Sequence, residues 1–305
     1  MSFVDWLQES SRRLREDGLR RGVEDSSYEL YVGALRRLGD VIGGGRSVFS
    51  EGWDVLLILD ACRYDLMTEV AGGYDFIDDV GRFPSLGSSS QEWLDENFDV
   101  DAPLSETAYV TGNPFSERYL DAANFQVLDE VWRYAWDDEL GTVRARPVTD
   151  RAISTWREHQ PERMVVHYMQ PHYPFVNDPD LHEGMVVGRF GESDEPFWQR
   201  VRHGIVSKER AWEVYRDNLR YVLDDVGLLL ETIDADRVVI SADHGNAVGE
   251  YGVYGHPGRV PLSVLRSVPW VESSASVERE YDVTTERADD IDADTEERLE
   301  NLGYM

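Results

Sequence analysis

DRVVISADHGNAVGEYGVYGHPG, residues 236–258, decides the fold reading. Its first part, DRVVISAD, is a short, nearly unbroken apolar run, the pattern of a strand buried on both faces of a parallel sheet. Directly after it come Asp243, His244, five glycines (245, 249, 252, 255 and 258) and His256. The chain has only 7 His, so two among these glycines call for an explanation. A glycine-rich surface loop is one; a metal site at a strand end is the other.

Working outward, the same kind of run recurs in WDVLLILD (53–60), AYVTG (108–112) and RMVVHYMQ (163–170). Helical patterning lies between these runs, at 148–158 and over 207–233. Strands alternating with helices predict an α/β protein, a three-layer α/β/α sandwich with a mainly parallel central sheet. Three strands run into ionisable residues: Asp60, His172 and the pair Asp243–His244. Ligands of open α/β sheets bind outside the carboxyl ends of the strands, and parallel strands point those ends the same way. The spacing therefore predicts that these groups converge. Mixed carboxylate and imidazole donors suit a divalent metal: Zn, Mn, Mg or, with more oxygens, Ca. Neighbours on a straight strand point apart, so Asp243 and His244 share an ion only where the strand turns, and Gly245 supplies a turn. Singly, Asp60 reads as a helix cap and His244 as a satisfied buried histidine; the joint pattern favours a site.

Composition narrows the function. The 305 residues carry a net charge of −30, and of 30 basic residues only Lys208 is lysine. Acid spread along the whole chain is a solvated surface, and the composition resembles that of proteins from salt-loving archaea. Nucleic acid is a poor partner for such a surface. Cys62 is the single cysteine, so no internal disulfide forms. The start, MSFVDWLQESSRRLREDGLRRG, lacks the apolar core of a signal peptide, and no run has the length of a membrane span. The expected location is the cytoplasm. Helices are expected at 3–21, with Phe3, Trp6 and Leu7 on one face, and at 28–41, ended by GGGRS at 43–47. The expected plan is a helical extension over 1–52 and one catalytic domain over 53–305. Its acidic tail, from 273, closes with a docked TEERLENLGYM.

Four segments together resemble the sulfatase-like branch of the alkaline phosphatase superfamily. They are DVLLILDACRYD (54–65), HYMQPHYPF (167–175), SADHGNAVGEYGVYGHPG (241–258) and RLENLGY (298–304), in that order. The resemblance implies an alkaline phosphatase-like fold and a metal held by Asp60, Asp243 and His244. It places His172 and His256 on the oxyanion of the substrate, or on a second metal. His167 matches less closely and reads equally as a core residue, and Arg63 and Asp65 read equally as a structural pair. The family's nucleophile stands at a helix start after the first strand, here SLGSSSQEWLDENF (85–98). Ser89 aligns best and also begins a capping-box pattern with Glu92; Ser90 is second and Ser88 third. The C-x-P-S-R motif that yields formylglycine is missing, and Ala61 stands where many sulfatases have a second Asp. The expected function is metal-dependent hydrolysis or transfer of phosphate or sulfate esters through a hydroxyl nucleophile. Its substrate would be a small-molecule or a glycan- or lipid-linked ester, and aromatics in 113–206 (NPF, VWRYAW, EPFW) are expected to cover the site. The rival reading is a binding protein that keeps the fold without the chemistry.

Overall fold

A computed structural model describes residues 19–98, 104–178, 181 and 197–287. In chain order they form α1 (Leu19–Ile42), β1 (Val55–Leu59), α2 (Tyr64–Val70), β2 (Gly81–Pro84), α3 (Ser90–Asn97), β3 (Thr107–Thr111), α4 (Ser116–Tyr119) and β4 (Val127–Glu130). Then follow a small ribbon of β5 (Trp136–Asp137) and β6 (Thr142–Val143), α5 (Ala145–His159), β7 (Arg163–Tyr168), α6 (Phe197–Arg202), α7 (Lys208–Leu230) and β8 (Ala235–Ser241). A second ribbon of β9 (Ala247–Val248) and β10 (Tyr254–Gly255), α8 (Ser263–Arg266) and β11 (Ser267–Ala275) complete the series.

The central sheet has seven strands in the order β2-β11-β8-β1-β7-β3-β4. β1 pairs in parallel with β7 and β8, and β3 in parallel with β7 and β4. β11 runs antiparallel between β8 and β2. Every residue of β1 and β3 is buried, which requires cover on both faces. Consecutive residues of β7 show the two covering layers. Tyr168 meets Thr149 of α5 through hydroxyls 2.9 Å apart, whereas His167 stands edge-on to Trp93 of α3 at 5.6 Å. Side chains alternate across a strand, so α5 and α3 lie on opposite faces. The molecule is thus a three-layer α/β/α sandwich around a mostly parallel sheet.

Two expectations need correcting. A gap between helices near residues 22–27 does not exist, since α1 runs unbroken from Leu19 to Ile42. Its polar residues find local partners: Ser27 Oγ donates to the Val23 carbonyl at 2.7 Å, and Asp25 receives Arg202 and His203 from the segment of α6. The start of the acidic tail is not coil either, because 273–275 close β11, a central strand. Pro269 hid it, since proline is rare inside sheets, but the Pro269 carbonyl accepts the Ser241 hydroxyl at 2.7 Å. α1 itself is docked on the rest of the molecule. Val32, with Tyr28 and Leu35, packs into a second apolar cluster with Ala247, Val253, Val260 and Leu265. Tyr28 and the Tyr254 backbone are joined at 3.1–3.2 Å. The helix therefore rests on the glycine-rich segment that leads to His256. The expected helix at 3–18 and the closing TEERLENLGYM lie outside the described residues.

Candidate active site at the strand ends

Asp60 follows β1 directly. Its backbone N–H donates to Tyr168 O at 3.2 Å, and its carbonyl accepts His172 N at 3.0 Å, which fixes β1 and the 170–174 turn together. Ala61 then turns in the left-handed region (φ 62°), a costly conformation for a residue with a Cβ. That turn points the Ala61 N–H at Asp243 Oδ1, 3.0 Å away, and Tyr215 holds its carbonyl. So the ends of β1 and β8 are tied by one hydrogen bond across the site.

Asp243 and His244 leave β8 as the sequence suggests. The His244 N–H also donates to Asp243 Oδ1, at 2.8 Å, and its Nδ1 lies 2.8 Å from the Gly245 carbonyl. That leaves His244 Nε2 facing 3.5 Å to Asp60 Oδ1 and 3.4 Å to Asp243 Oδ2. Gly245 is required for close approach: a Cβ there would stand 2.1 Å from the Val264 carbonyl oxygen. Gly249, Gly252 and Gly255 all have positive φ, and Gly255 (φ 73°) immediately precedes His256, so glycine does turn the chain back to the site. His256 stacks on His244 with ring centres 4.5 Å apart, and its Nε2 is 2.8 Å from His172 Nε2.

His167, in the second half of β7, faces the same point. Tyr109 fixes its ring through Nδ1 at 2.8 Å, and its Nε2 lies 3.7 Å from Asp243 Oδ2, too far for a hydrogen bond. Ligand atoms of Asp60, His167 and Asp243 fall within 4.8 Å of one another. Asp60 Oδ1, Asp243 Oδ2 and His167 Nε2 are all buried without a hydrogen-bond partner among the described residues. Three inward-facing polar atoms left bare at one point are unfavourable unless something binds them. A divalent cation fits this oxygen and imidazole set, with His244 Nε2 beside it. Burial and the nearby Asp243 charge push the Asp60 carboxyl well above the usual range. Burial alone would raise Asp243 too, but His244 and His167 hold it below that range.

The three serines separate cleanly. Ser88 Oγ bonds the Pro257 carbonyl and Glu92 at 3.0 Å each and accepts Val260 N at 3.1 Å, locking the loop after His256 onto the start of α3. Ser89 is the N-cap of α3, its hydroxyl accepting Glu92 N at 3.4 Å. Ser90, the first helical residue, turns inward: its Oγ is 3.4 Å from Asp60 Oδ2 and 3.3 Å from His244 Nε2. Sequence reasoning missed Asn113, whose amide donates to Asp60 Oδ2 at 3.0 Å from the end of β3. The signal was there in its position, since it follows a buried parallel strand just as Asp60 does.

Other residues of these segments have structural places. Arg63 is buried and grips Asp65 at 2.6 and 2.8 Å and Glu250 at 2.6 Å, a structural clamp. Cys62 is a buried core residue. Of the aromatics expected over the site, Trp132 is wholly buried and bonds Ser116, part of the core, whereas the Trp198 side chain packs against Gly255. Residues 182–196 lie outside the description.

The sandwich is alkaline phosphatase-like. The soluble domain of lipooligosaccharide phosphoethanolamine transferase A from Neisseria meningitidis superposes with a TM-score of 0.50 at 12% identity, over 76% of this chain and 79% of that one. The periplasmic domain of phosphoethanolamine transferase EptC from Campylobacter jejuni gives 0.46 at 14% identity, over 76% and 83%. A protein of the alkaline phosphatase superfamily from Vibrio parahaemolyticus gives 0.38 at 11%, over 81% and 69%. No family model matches the chain. No curated protein matches it in sequence.

Proposed function

We propose that the protein is a metal-dependent enzyme that transfers or hydrolyses phosphate esters, and sulfate esters less readily, with Ser90 as nucleophile. One observation carries this reading: Ser90 Oγ stands 3.3–3.4 Å from two members of a buried donor set whose innermost atoms are bare. Asp60, Asp243, His244 and His167 would hold the metal, which supplies a lowered pKa for a bound hydroxyl and a positive charge for the ester oxygens. The N-terminus of α3 adds its partial positive charge at the same hydroxyl. Ser90 Oγ attacks the phosphorus or sulfur, and the ester oxygen leaves with its alcohol. Water or an acceptor alcohol then releases the seryl ester and restores the hydroxyl. Asn113 steadies the Asp60 carboxylate throughout. His172 and His256 hold non-bridging oxygens. Burial and the neighbouring His244 lower both imidazoles, His172 to about 4, so the pair is neutral at pH 7, with His172 Nδ1 donating to the Tyr173 carbonyl. A hydroxyl in place of formylglycine supports phosphate over sulfate, and the transferase description of the Neisseria structure makes transfer to an alcohol worth assaying beside hydrolysis.

The test is metal content together with turnover of nitrophenyl phosphate, bis-nitrophenyl phosphate and nitrophenyl sulfate. Ser90→Ala is expected to lose about a thousandfold or more in rate, roughly 4 kcal/mol of barrier, with metal retained. Loss in Ser89→Ala with Ser90→Ala active would transfer the role to Ser89. Metal bound with no turnover of any ester would favour the binding-protein reading.

A further inference from the structure

Along the solvent side of α1 runs a row of apolar residues, flanked by exposed Glu24, Arg36, Arg37 and Asp40. Val23, Leu30, Leu38, Val41 and Ile42 are between 47% and 83% exposed; their spacing puts Val23, Leu30 and Val41 opposite Tyr28, Val32 and Leu35, which pack inward, with Leu38 and Ile42 to one side. Tyr251, 77% exposed, extends the stripe, joined to it by the Tyr31 hydroxyl on its carbonyl at 2.9 Å. A surface helix of a water-facing protein normally turns polar side chains outward, so exposed apolar residues gathered on one face, broken only by Ser27, mark a contact surface.

Charge decides between occupants. The first 50 residues hold eight acidic and eight basic side chains, so the chain's whole net charge of −30 lies beyond them. Two copies meeting through α1 would bring two strongly acidic bodies together, which electrostatics opposes. A lipid surface without net charge carries no such penalty, and the neutral helix is the one region it would meet. Among the described residues no helix is long and apolar enough to cross a membrane, which leaves a helix lying in the interface. We propose that α1, with Tyr251, docks the protein on the surface of a zwitterionic bilayer. Since α1 rests on the 247–260 segment, docking would hold the segment that carries His256 near the lipid headgroups. The inference stands independently of the ester chemistry.

Co-sedimentation of the full chain with phosphatidylcholine vesicles tests it, with light scattering on the free protein. Wild type is expected to sediment with these vesicles, and less with phosphatidylglycerol vesicles at low salt, a difference that salt removes. Leu30→Glu/Leu38→Glu/Val41→Glu should lose about tenfold or more in partitioning while keeping its melting temperature and its rate on soluble esters. Should the triple variant fail to fold, Val41→Glu alone, at the most exposed position, should still weaken binding severalfold. No sedimentation of wild type at any salt, or equal sedimentation of the variants, overturns the proposal. A concentration-dependent dimer abolished by the same substitutions overturns it in favour of a second copy.

Discussion

Two groups of buried carboxylates lie on opposite sides of the sheet, and they are treated differently. Beside α5, Asp129 accepts Tyr134 on one oxygen at 2.6 Å and Arg151 on the other at 2.8 Å. Asp150 accepts Tyr281 on one oxygen and Thr284 and Thr285 on the other, all at 2.8–3.0 Å. At the strand ends, Asp60 and Asp243 each use one oxygen and leave the other bare toward a common point. Burial is equal in the two groups; only completion differs. A finished carboxylate is a strut, whereas a half-finished one placed beside others of its kind is a donor set suited to a cation.

The largest effect should come from breaking a strut. Asp129→Ala leaves the buried Arg151 guanidinium uncompensated, which costs about 3–5 kcal/mol. Chemical denaturation measures it. Metal stoichiometry per folded molecule should not change, because Asp129 lies at the far edge strand β4. If Asp60→Ala cost as much in metal-free protein, the distinction between the two groups would collapse.

Metal should act on the unfinished group alone. A divalent ion at a hundredfold excess over its dissociation constant is expected to stabilise wild type by about 2.7 kcal/mol. Calorimetry with and without chelator reads this. Asp60→Asn and Asp243→Asn should abolish the increment, whereas the struts' variants should keep it. An increment that survives both substitutions would move the ion away from the strand ends.

Much of this contrast was legible in the sequence, and the part that was not has physical causes. Buried parallel strands announce themselves as unbroken apolar runs, so β1, β3, β7 and β8 and the convergence of Asp60 with Asp243 could be read directly. β11 could not, because a proline and polar residues mask a strand whose pairing is set by its neighbours. Choosing among Ser88, Ser89 and Ser90 was also beyond sequence. All three suit a helix start, and only the turn of α3 decides which hydroxyl faces inward. His167 and Asn113 read as ordinary strand and loop residues; their meaning lies in what stands across the sheet.

Acid should loosen a strut in a defined direction. Burial alone would raise the Asp150 carboxyl, but the hydrogen bonds from Tyr281, Thr284 and Thr285 hold it below the usual value. A lowered folded-state value means that the contribution is complete above the ordinary carboxylate pKa of about 3.9 and fades as pH falls through it toward the folded value. Segment 281–285 should therefore become progressively open to protease as pH falls below about 4. Asp150→Asn should show that opening already at pH 7, at a cost of about 1–3 kcal/mol, and flatten the dependence. Protection that holds unchanged in acid would show that this carboxylate is not what fastens the segment.

The smallest effect should come from the residue nearest the chemistry that does not take part in it. Ser89 caps α3, and removing a cap costs about 1 kcal/mol. Gly258 lies so close that a Cβ there would be 3.2 Å from the Ser89 hydroxyl, so Ala at 89 frees space and clashes with nothing. Ser89→Ala is therefore expected to melt slightly earlier and to retain ester turnover within a few fold, as α3 stays anchored by Ser88 and Glu92. Ser90→Ala should do the reverse, holding its melting temperature while losing turnover. The two neighbours thus divide stability and reactivity between them, and a pair of variants that lost both properties together would show that the cap and the nucleophile act as one unit.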